Sequence, residues 1–161
     1  IGGHLEDILQ NEVQIIWQCG PAFHSLATNI VETLGSSERL RVKLHAFIAR
    51  MDLAYAAADL VISRAGAIAI SELCIAGKPL ILVPLPYAAE DHQTRNAKAL
   101  TEKDAAILIK DDELDEKLVQ ELEKLLKDPS RQERMKKNIL DLAKPDATDK
   151  IADEVVKLLE I

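Results

Sequence analysis

Short apolar segments alternate with helical segments over the first two thirds of the chain. The segments predicted as strands are 13–18, 42–48, 60–63, 80–83 and 106–109. The helices predicted between them are 23–34, 52–58, 67–76 and 92–103. This alternation is typical of strand–helix–strand units, which build a parallel sheet flanked by helices. The sequence therefore predicts an α/β fold.

Two of these strands, at 60–63 and 80–83, are almost continuously apolar, which indicates that helices cover both faces of the sheet there. We therefore expect both to be central strands. The helix between them should end at Gly77, because glycine tolerates the left-handed conformation that follows a helix and Pro79 cannot continue one. Beyond residue 114 only helical patterns remain, which predicts a helical C-terminus. There, Ser130 with Glu133 fits the capping pattern of a helix start.

Length, composition and charge narrow the class of protein. A chain of 161 residues with 48% apolar residues has the size and composition of a single globular domain. A net charge of −7, with dispersed Lys and Arg, excludes the concentrated basic face that nucleic-acid binding requires. No apolar stretch approaches the roughly 20 residues that cross a bilayer. We expect a soluble cytoplasmic domain that binds no nucleic acid and does not span a membrane.

The cysteines and histidines indicate no metal site. Cys19 and Cys74 have neither the number nor the spacing of a disulfide framework or a zinc site, so we expect two reduced packing residues. The histidines are scattered without ligand-like spacing. The first residues, Ile1 to His4, lack an initiator methionine. We therefore expect an excised fragment, whereas a native start before Ile1 would favour a natural subunit.

The junction between the strand at 60–63 and the helix at 67–76 is a candidate anion site. Arg64 supplies a permanent positive charge, and Gly66 has no side chain to hold a ligand away from the backbone. The helix that follows a parallel strand presents unpaired N–H groups, which favour phosphate. Glu72 could accept hydrogen bonds from ribose hydroxyls. The alternative is a structural Arg64–Glu72 ion pair, with Gly66 as a turn residue.

A second polar cluster begins the helix after the strand at 80–83. His92 and Asn96 share one face of this helix, and Gln93 lies beside them. Both clusters follow the carboxyl ends of parallel strands, so we expect them at the same edge of the sheet. Such side chains can reach several hydroxyls of a sugar. The alternative is that Asp91 only caps the helix and the other side chains are solvated.

Several segments in order resemble one enzyme family. They are 54–67, 72–73, 77–79, 83–86, 91–93 and 96–97. Together they resemble the bacterial undecaprenyl-diphospho-muramoylpentapeptide N-acetylglucosaminyltransferases of glycosyltransferase family 28, from about residue 13 to residue 109 and more loosely over 145–148. The resemblance implies the two-domain glycosyltransferase B (GT-B) architecture. Only its C-terminal half, a Rossmann-like donor domain, matches this chain, and the acceptor domain is absent.

The resemblance also implies the donor and the residues that bind it. The donor would be UDP-N-acetylglucosamine, bound by residues from four segments: Ile48 at the uracil; Glu72 at the ribose; Arg64, Gly66 and Ala67 beside the diphosphate; and His92, Gln93 and Asn96 at the sugar. The sugar would pass with inversion to a lipid-linked muramoyl-pentapeptide at the inner face of the cell membrane, without a metal or other cofactor. The acceptor-side base would belong to the absent domain.

The chain also departs from the family pattern. The family's donor domain opens with a strand and a glycine-rich loop, and neither precedes Val13. Ala69 stands where a hydroxyl residue is common, and Asp104 replaces a usual glycine, although aspartate tolerates the left-handed conformation.

These features predict a donor domain that binds the nucleotide sugar but does not catalyse transfer alone. Three alternatives remain. The chain could be a soluble donor-binding subunit of a split transferase that needs a membrane-bound partner. It could instead be a sugar-nucleotide epimerase of related architecture, or a binding module without catalytic ancestry.

Overall fold

The computed structural model describes residues 1–87 and 91–159. The strands are β1 (Ile15–Gln18), β2 (Val42–His45), β3 (Val61–Ser63), β4 (Leu80–Leu82) and β5 (Ile107–Leu108). The α-helices are α1 (Leu5–Leu9), α2 (His24–Glu32), α3 (Ser36–Leu40), α4 (Met51–Ala57), α5 (Ala67–Ala76), α6 (His92–Thr101), α7 (Leu114–Leu126), α8 (Pro129–Leu140) and α9 (Ala147–Leu159). Each predicted strand is present, and the strands pair in parallel. The predicted α/β fold is confirmed.

The chain divides into two compact units. The first unit contains residues 1–58 and 109–129, and the second contains residues 59–108 and 130–161. In the first unit β1 pairs with β2, with Ile15 opposite Val42 and Gln18 opposite His45. Its core is formed by aliphatic side chains from the helices and strands: Leu5, Leu9, Val31, Leu34 and Val42. Helix α7 adds a buried stripe at helical spacing: Leu118, Leu122 and Leu125.

The second unit is built on a three-stranded parallel sheet in the order β3–β4–β5. Strand β4 lies in the middle, and its residues Leu80, Ile81 and Leu82 are completely buried. The prediction of a central strand is therefore confirmed for β4. It is wrong for β3, which lies at an edge of this sheet and is only half-buried. A run of apolar residues indicates burial but does not reveal how many neighbours a strand has.

Local backbone signals decide several boundaries of the helices. Gly77 follows α5 in the left-handed conformation, at φ +62°, and its N–H donates to Leu73 O at 3.1 Å, as predicted. Asp104 also takes a left-handed conformation, at φ +51°. Helix α8 begins at Pro129, so the start predicted at Ser130 is wrong. Proline suits the first helical position because its fixed φ matches the helix and its missing N–H would be unpaired there.

The C-terminal helix α9 is amphipathic, and none of its described residues is buried. Its apolar residues include Ile151, Val155 and Leu158. Within residues 1–87 and 91–159, no helix combines the length and apolar character needed to cross a membrane.

Candidate functional site

The candidate site lies at the junction of β3 and α5 in the second unit. Strand β3 ends at Ser63, Gly66 takes the N-cap position of α5, and Gly66 O accepts the helix bond from the N–H of Ile70 at 2.9 Å. The N–H groups of a first helical turn have no acceptor within their own helix. Ala67 and Ile68, which form this turn, are exposed. The end of α5 that carries the partial positive charge of the helix dipole is therefore accessible.

Nothing within the described fold requires glycine at position 66. Its φ of −67° and ψ of 147° are open to every residue, so the backbone needs no glycine there. A Cβ added at Gly66 would meet no described heavy atom within 4 Å, so packing does not require glycine either. Gly66 is thus the N-cap of α5, without the positive φ that makes a turn glycine indispensable. What the glycine provides is open space over the first turn of α5.

Arg64 joins the ends of two neighbouring strands. Its guanidinium Nη1 donates to the carbonyl oxygens of Val83 and Pro84, at 3.3 and 3.2 Å. These carbonyls follow β4, whereas Arg64 follows β3. The guanidinium therefore helps to hold the β3–α5 junction against the segment that leaves β4.

Two side chains of α6 reach the same junction. Gln93 Oε1 accepts hydrogen bonds from the N–H groups of Ala65, at 3.3 Å, and Leu85, at 2.9 Å. Asn96 Nδ2 donates to Ala65 O at 3.0 Å. The alternative in which these residues are merely solvated is therefore wrong for Gln93 and Asn96, which are half-buried. Asp91 occupies the N-cap position of α6 but makes no side-chain cap bond to it.

The other predicted site residues fall in both units. Glu72 on α5 and His92 at the start of α6 are exposed in the second unit. Ile48 belongs to the first unit, where its N–H donates to Gln18 Oε1 at 2.7 Å. The structure thus brings Arg64, Gln93 and Asn96 together around the β3–α5 junction.

Three residues that form hydrogen bonds with predicted site residues were not predicted from the sequence: Ala65, Leu85 and Gln18. Ala65 and Leu85 act through backbone groups, which every non-proline residue carries, so no sequence signal marks them. Gln18 could have been found, because it ends β1 and β1 is parallel to β2. A side chain there lies at the sheet edge from which residues 46–48 continue.

Cys74, on α5, is buried. Its burial raises the pKa of the thiol above its ordinary value, so this cysteine remains a neutral packing residue. Across the part of the chain that the structure describes, no three His, Cys, Asp or Glu side chains are grouped to hold a metal ion. The groups at the junction that could bind a ligand are backbone N–H groups, the positive end of a helix dipole and amide side chains.

Parallel strands that end in an open helix N-terminus are typical of α/β proteins that bind phosphate-bearing ligands. The family model described as the glycosyltransferase family 28 C-terminal domain matches residues 4–151. The chain therefore belongs to glycosyltransferase family 28, as the sequence motifs predicted.

The relatives in this family are longer than the chain. It is 47% identical over 160 residues to the UDP-N-acetylglucosamine--N-acetylmuramyl-(pentapeptide) pyrophosphoryl-undecaprenol N-acetylglucosamine transferase of Flavobacterium psychrophilum, covering 99% of this chain and 42% of the relative. The transferase of the same name from Parabacteroides distasonis is 46% identical over 160 residues, covering 99% of this chain and 43% of the relative. The chain thus spans less than half the length of these relatives.

Solved structures agree with the fold. The crystal structure of Acinetobacter baumannii MurG matches with a TM-score of 0.79 and 29% identity, over 97% of this chain and 45% of that one. The glycotransferase of kitacinnamycin matches with a TM-score of 0.64 and 18% identity, over 92% of this chain and 37% of that one, which supports the fold alone. The predicted C-terminal half of a GT-B fold is confirmed.

Proposed function

We propose that the chain binds UDP-N-acetylglucosamine as the donor domain of a transferase in peptidoglycan synthesis. The observation that carries this proposal is the 47% identity, over 99% of the chain, to a transferase whose name specifies that donor. The candidate residues from Ile48 to Asn96 all lie within residues 4–151, the part that matches the family. The geometry of the β3–α5 junction supports the proposal because it offers an open anion site.

The first turn of α5 would hold the diphosphate. Its N–H groups and the helix dipole favour negative charge, and the open space at Gly66 allows phosphate oxygens to approach the backbone of Gly66 and Ala67. When the bond between sugar and diphosphate breaks, negative charge grows on the departing diphosphate. Fixed N–H groups would stabilise that charge without moving. This role requires no proton transfer from the domain.

The remaining candidate residues would bind the nucleoside and the sugar. Glu72 is exposed on α5, where its carboxylate could accept hydrogen bonds from both ribose hydroxyls. The N–H of Ile48 already donates to an amide oxygen of Gln18, and uracil offers carbonyl oxygens as acceptors of the same kind. His92, Gln93 and Asn96 would contact the N-acetylglucosamine.

The acceptor would be the lipid-linked muramyl-pentapeptide that the relatives' names specify. It would bind to a separate acceptor domain, which would also supply the base that activates its hydroxyl. The whole enzyme would work at the cytoplasmic face of the membrane, without a metal or other cofactor. The donor domain alone would bind the nucleotide sugar without transferring it.

The test is a titration of UDP-N-acetylglucosamine into the 161-residue chain, followed by two-dimensional amide NMR. We expect saturable shifts at Gly66, Ala67 and Gln93. Glu72→Ala should weaken binding about tenfold, because hydrogen bonds to a charged group contribute roughly 1.5–3 kcal/mol. The matched control is Glu133→Ala, which removes an exposed glutamate on α8. It should bind like the unaltered chain.

The 4-epimer, UDP-N-acetylgalactosamine, provides a second control. It should bind more weakly than UDP-N-acetylglucosamine if the domain recognises the sugar as well as the nucleotide. Absence of saturable shifts at millimolar ligand would contradict the proposed function. Equal binding by the Glu72→Ala and Glu133→Ala variants would remove Glu72 from the site.

A further inference from the structure

Ala65, between β3 and the N-cap of α5, has both of its backbone polar groups bound by side chains of α6. Its N–H donates to Gln93 Oε1 at 3.3 Å, and its carbonyl oxygen accepts from Asn96 Nδ2 at 3.0 Å. Gln93 and Asn96 are three residues apart, so they project from neighbouring positions on one helix face. One residue is thus held from both sides by the same helix.

These bonds meet a requirement that the secondary structure leaves unmet. Ala65 is completely buried, and buried backbone groups need hydrogen-bond partners. The parallel ladder ends just before it, where the N–H of Val83 donates to Ser63 O at 2.9 Å. Helix α5 begins just after it, at Ala67. The amides of α6 therefore fix a peptide segment that neither the strand nor the helix would fix.

Gln93 also reaches the neighbouring segment. The oxygen that accepts from Ala65 accepts from the N–H of Leu85, at 2.9 Å. One amide oxygen thus joins the segments that leave β3 and β4. Moving this side chain would remove a link between both segments that acts beside the bonds of Arg64 to Val83 and Pro84.

We propose that Gln93 and Asn96 are positioning residues, which hold Ala65 so that the first turn of α5 is aimed at the diphosphate. This inference rests on the proposed donor binding. It differs from the sugar contact that the family resemblance implies, because the affected part of the ligand is the diphosphate. Both residues act on it through Ala65.

The same bonds determine which polarity each amide can offer a ligand. The oxygen of Gln93 is used by two N–H groups, which leaves its Nε2 as a donor. The nitrogen of Asn96 donates to Ala65 O, which leaves its Oδ1 as an acceptor. A sugar hydroxyl can accept from the first and donate to the second. Positioning of the diphosphate and recognition of the sugar therefore share the same side chains.

The experiment compares the affinities of UMP, UDP and UDP-N-acetylglucosamine by calorimetry. The ratio of UDP to UMP affinity reports the contribution of the β-phosphate. Gln93→Met keeps the length of the side chain but removes the amide acceptor, and Asn96→Leu removes the donor to Ala65. Each should lower this ratio about tenfold, because the first turn of α5 would no longer be held in the direction of the β-phosphate. UMP affinity should stay within about twofold of the unaltered chain.

The matched control is Asn138→Leu. Asn138 Nδ2 donates to Asp104 O at 3.1 Å, so this variant removes an amide-to-carbonyl bond of nearly the same length in the second unit. It should leave the UDP to UMP ratio unchanged.

Gln93→Glu keeps a side-chain oxygen for both N–H groups, so the NMR signals of Ala65 and Leu85 should stay near their original positions. Gln93→Met should shift them.

Three results would overturn the proposal. The first is that Gln93→Met and Asn96→Leu leave the UDP to UMP ratio unchanged and weaken only the binding of UDP-N-acetylglucosamine relative to UDP. That result would mean that both residues contact the sugar alone. The second is an equal effect of Asn138→Leu, which would mean a general loss of stability. The third is an unaltered chain that binds none of the three nucleotides; that result would refute the proposed function as well.

Discussion

The two ends of helix α5 each carry a glycine, and the fold explains only one of them. At the C-terminal end Gly77 has φ +62°, and a Cβ there would come within 2.7 Å of Leu140 Cδ2. At the N-terminal end Gly66 has φ −67°, and a Cβ would meet no described atom within 4 Å. Gly77 is required by backbone conformation and packing. Gly66 is required by neither, which favours a role in contact with a ligand.

The residues around each glycine follow the same division. Leu73 and Cys74, in the turn before Gly77, are buried, whereas Ala67 and Ile68, in the turn after Gly66, are exposed. One helix therefore has a packed end and an open end. Because both ends belong to the same helix, each serves as the control for the other.

The largest expected effect is at the packed end. Gly77→Ala should lower the free energy of unfolding by about 2 kcal/mol, because the alanine must take a left-handed conformation and displace Leu140. Urea denaturation measures this change. Gly66→Ala should change the same quantity by less than about 0.5 kcal/mol, because its conformation suits alanine and its Cβ would face open space.

Leu140→Ala separates the two causes at Gly77. Combined with Gly77→Ala it removes the displaced atoms but leaves the backbone strain, so it should recover only part of the lost stability. A Gly66→Ala variant as unstable as Gly77→Ala would contradict the comparison between the two ends.

The second effect is on ligand binding. Gly66→Ala should weaken UDP binding about fivefold, close to 1 kcal/mol, because its methyl group would occupy the space through which, as proposed, the diphosphate approaches the backbone. UMP should be affected less than UDP. Calorimetric titration of both nucleotides checks this at a temperature where the variant is folded. Unchanged UDP affinity would separate Gly66 from the anion site.

The smallest effect concerns the thiol at the packed end. Because burial raises the pKa of Cys74 in the folded chain, deprotonating its thiol costs more there than in the unfolded chain. The stability that the neutral thiol contributes is therefore fully present below the ordinary thiol pKa of 9.0, and it is lost as the pH rises through the pKa of the folded chain. Between pH 8 and 10, Cys74→Ala should lose less stability than the unaltered chain does. Cys19→Ala, measured by the same denaturation series, is the control.

The sequence predicted those parts of the fold that depend on local pattern. The strands follow from short apolar runs, and the end of α5 follows from Gly77 and Pro79. The position of β3 at a sheet edge was not predictable, because it depends on which strands pair. Helix α3 was missed because Ser36–Leu40 is short and mostly polar. The start of α8 differs from the prediction, because an N-cap at Ser130 would begin the helix two residues after Pro129, where it begins.

At the candidate site, side-chain chemistry identified Gly66, Gln93 and Asn96, but not their bonds to Ala65 and Leu85. Those bonds end on backbone groups, which look alike at every position of a sequence. Contacts of these residues with a ligand remain predictions. The contact of Ile48 with uracil is a prediction of the same kind, and its bond to Gln18 shows only which polarity its N–H offers.

The shared oxygen of Gln93 also limits how such a domain could be redesigned. On the role proposed for Gln93, a library that varies position 93 to accept a different sugar would also cut the link between Ala65 and Leu85 and weaken diphosphate binding. A search for altered sugar preference would therefore leave Gln93 unchanged.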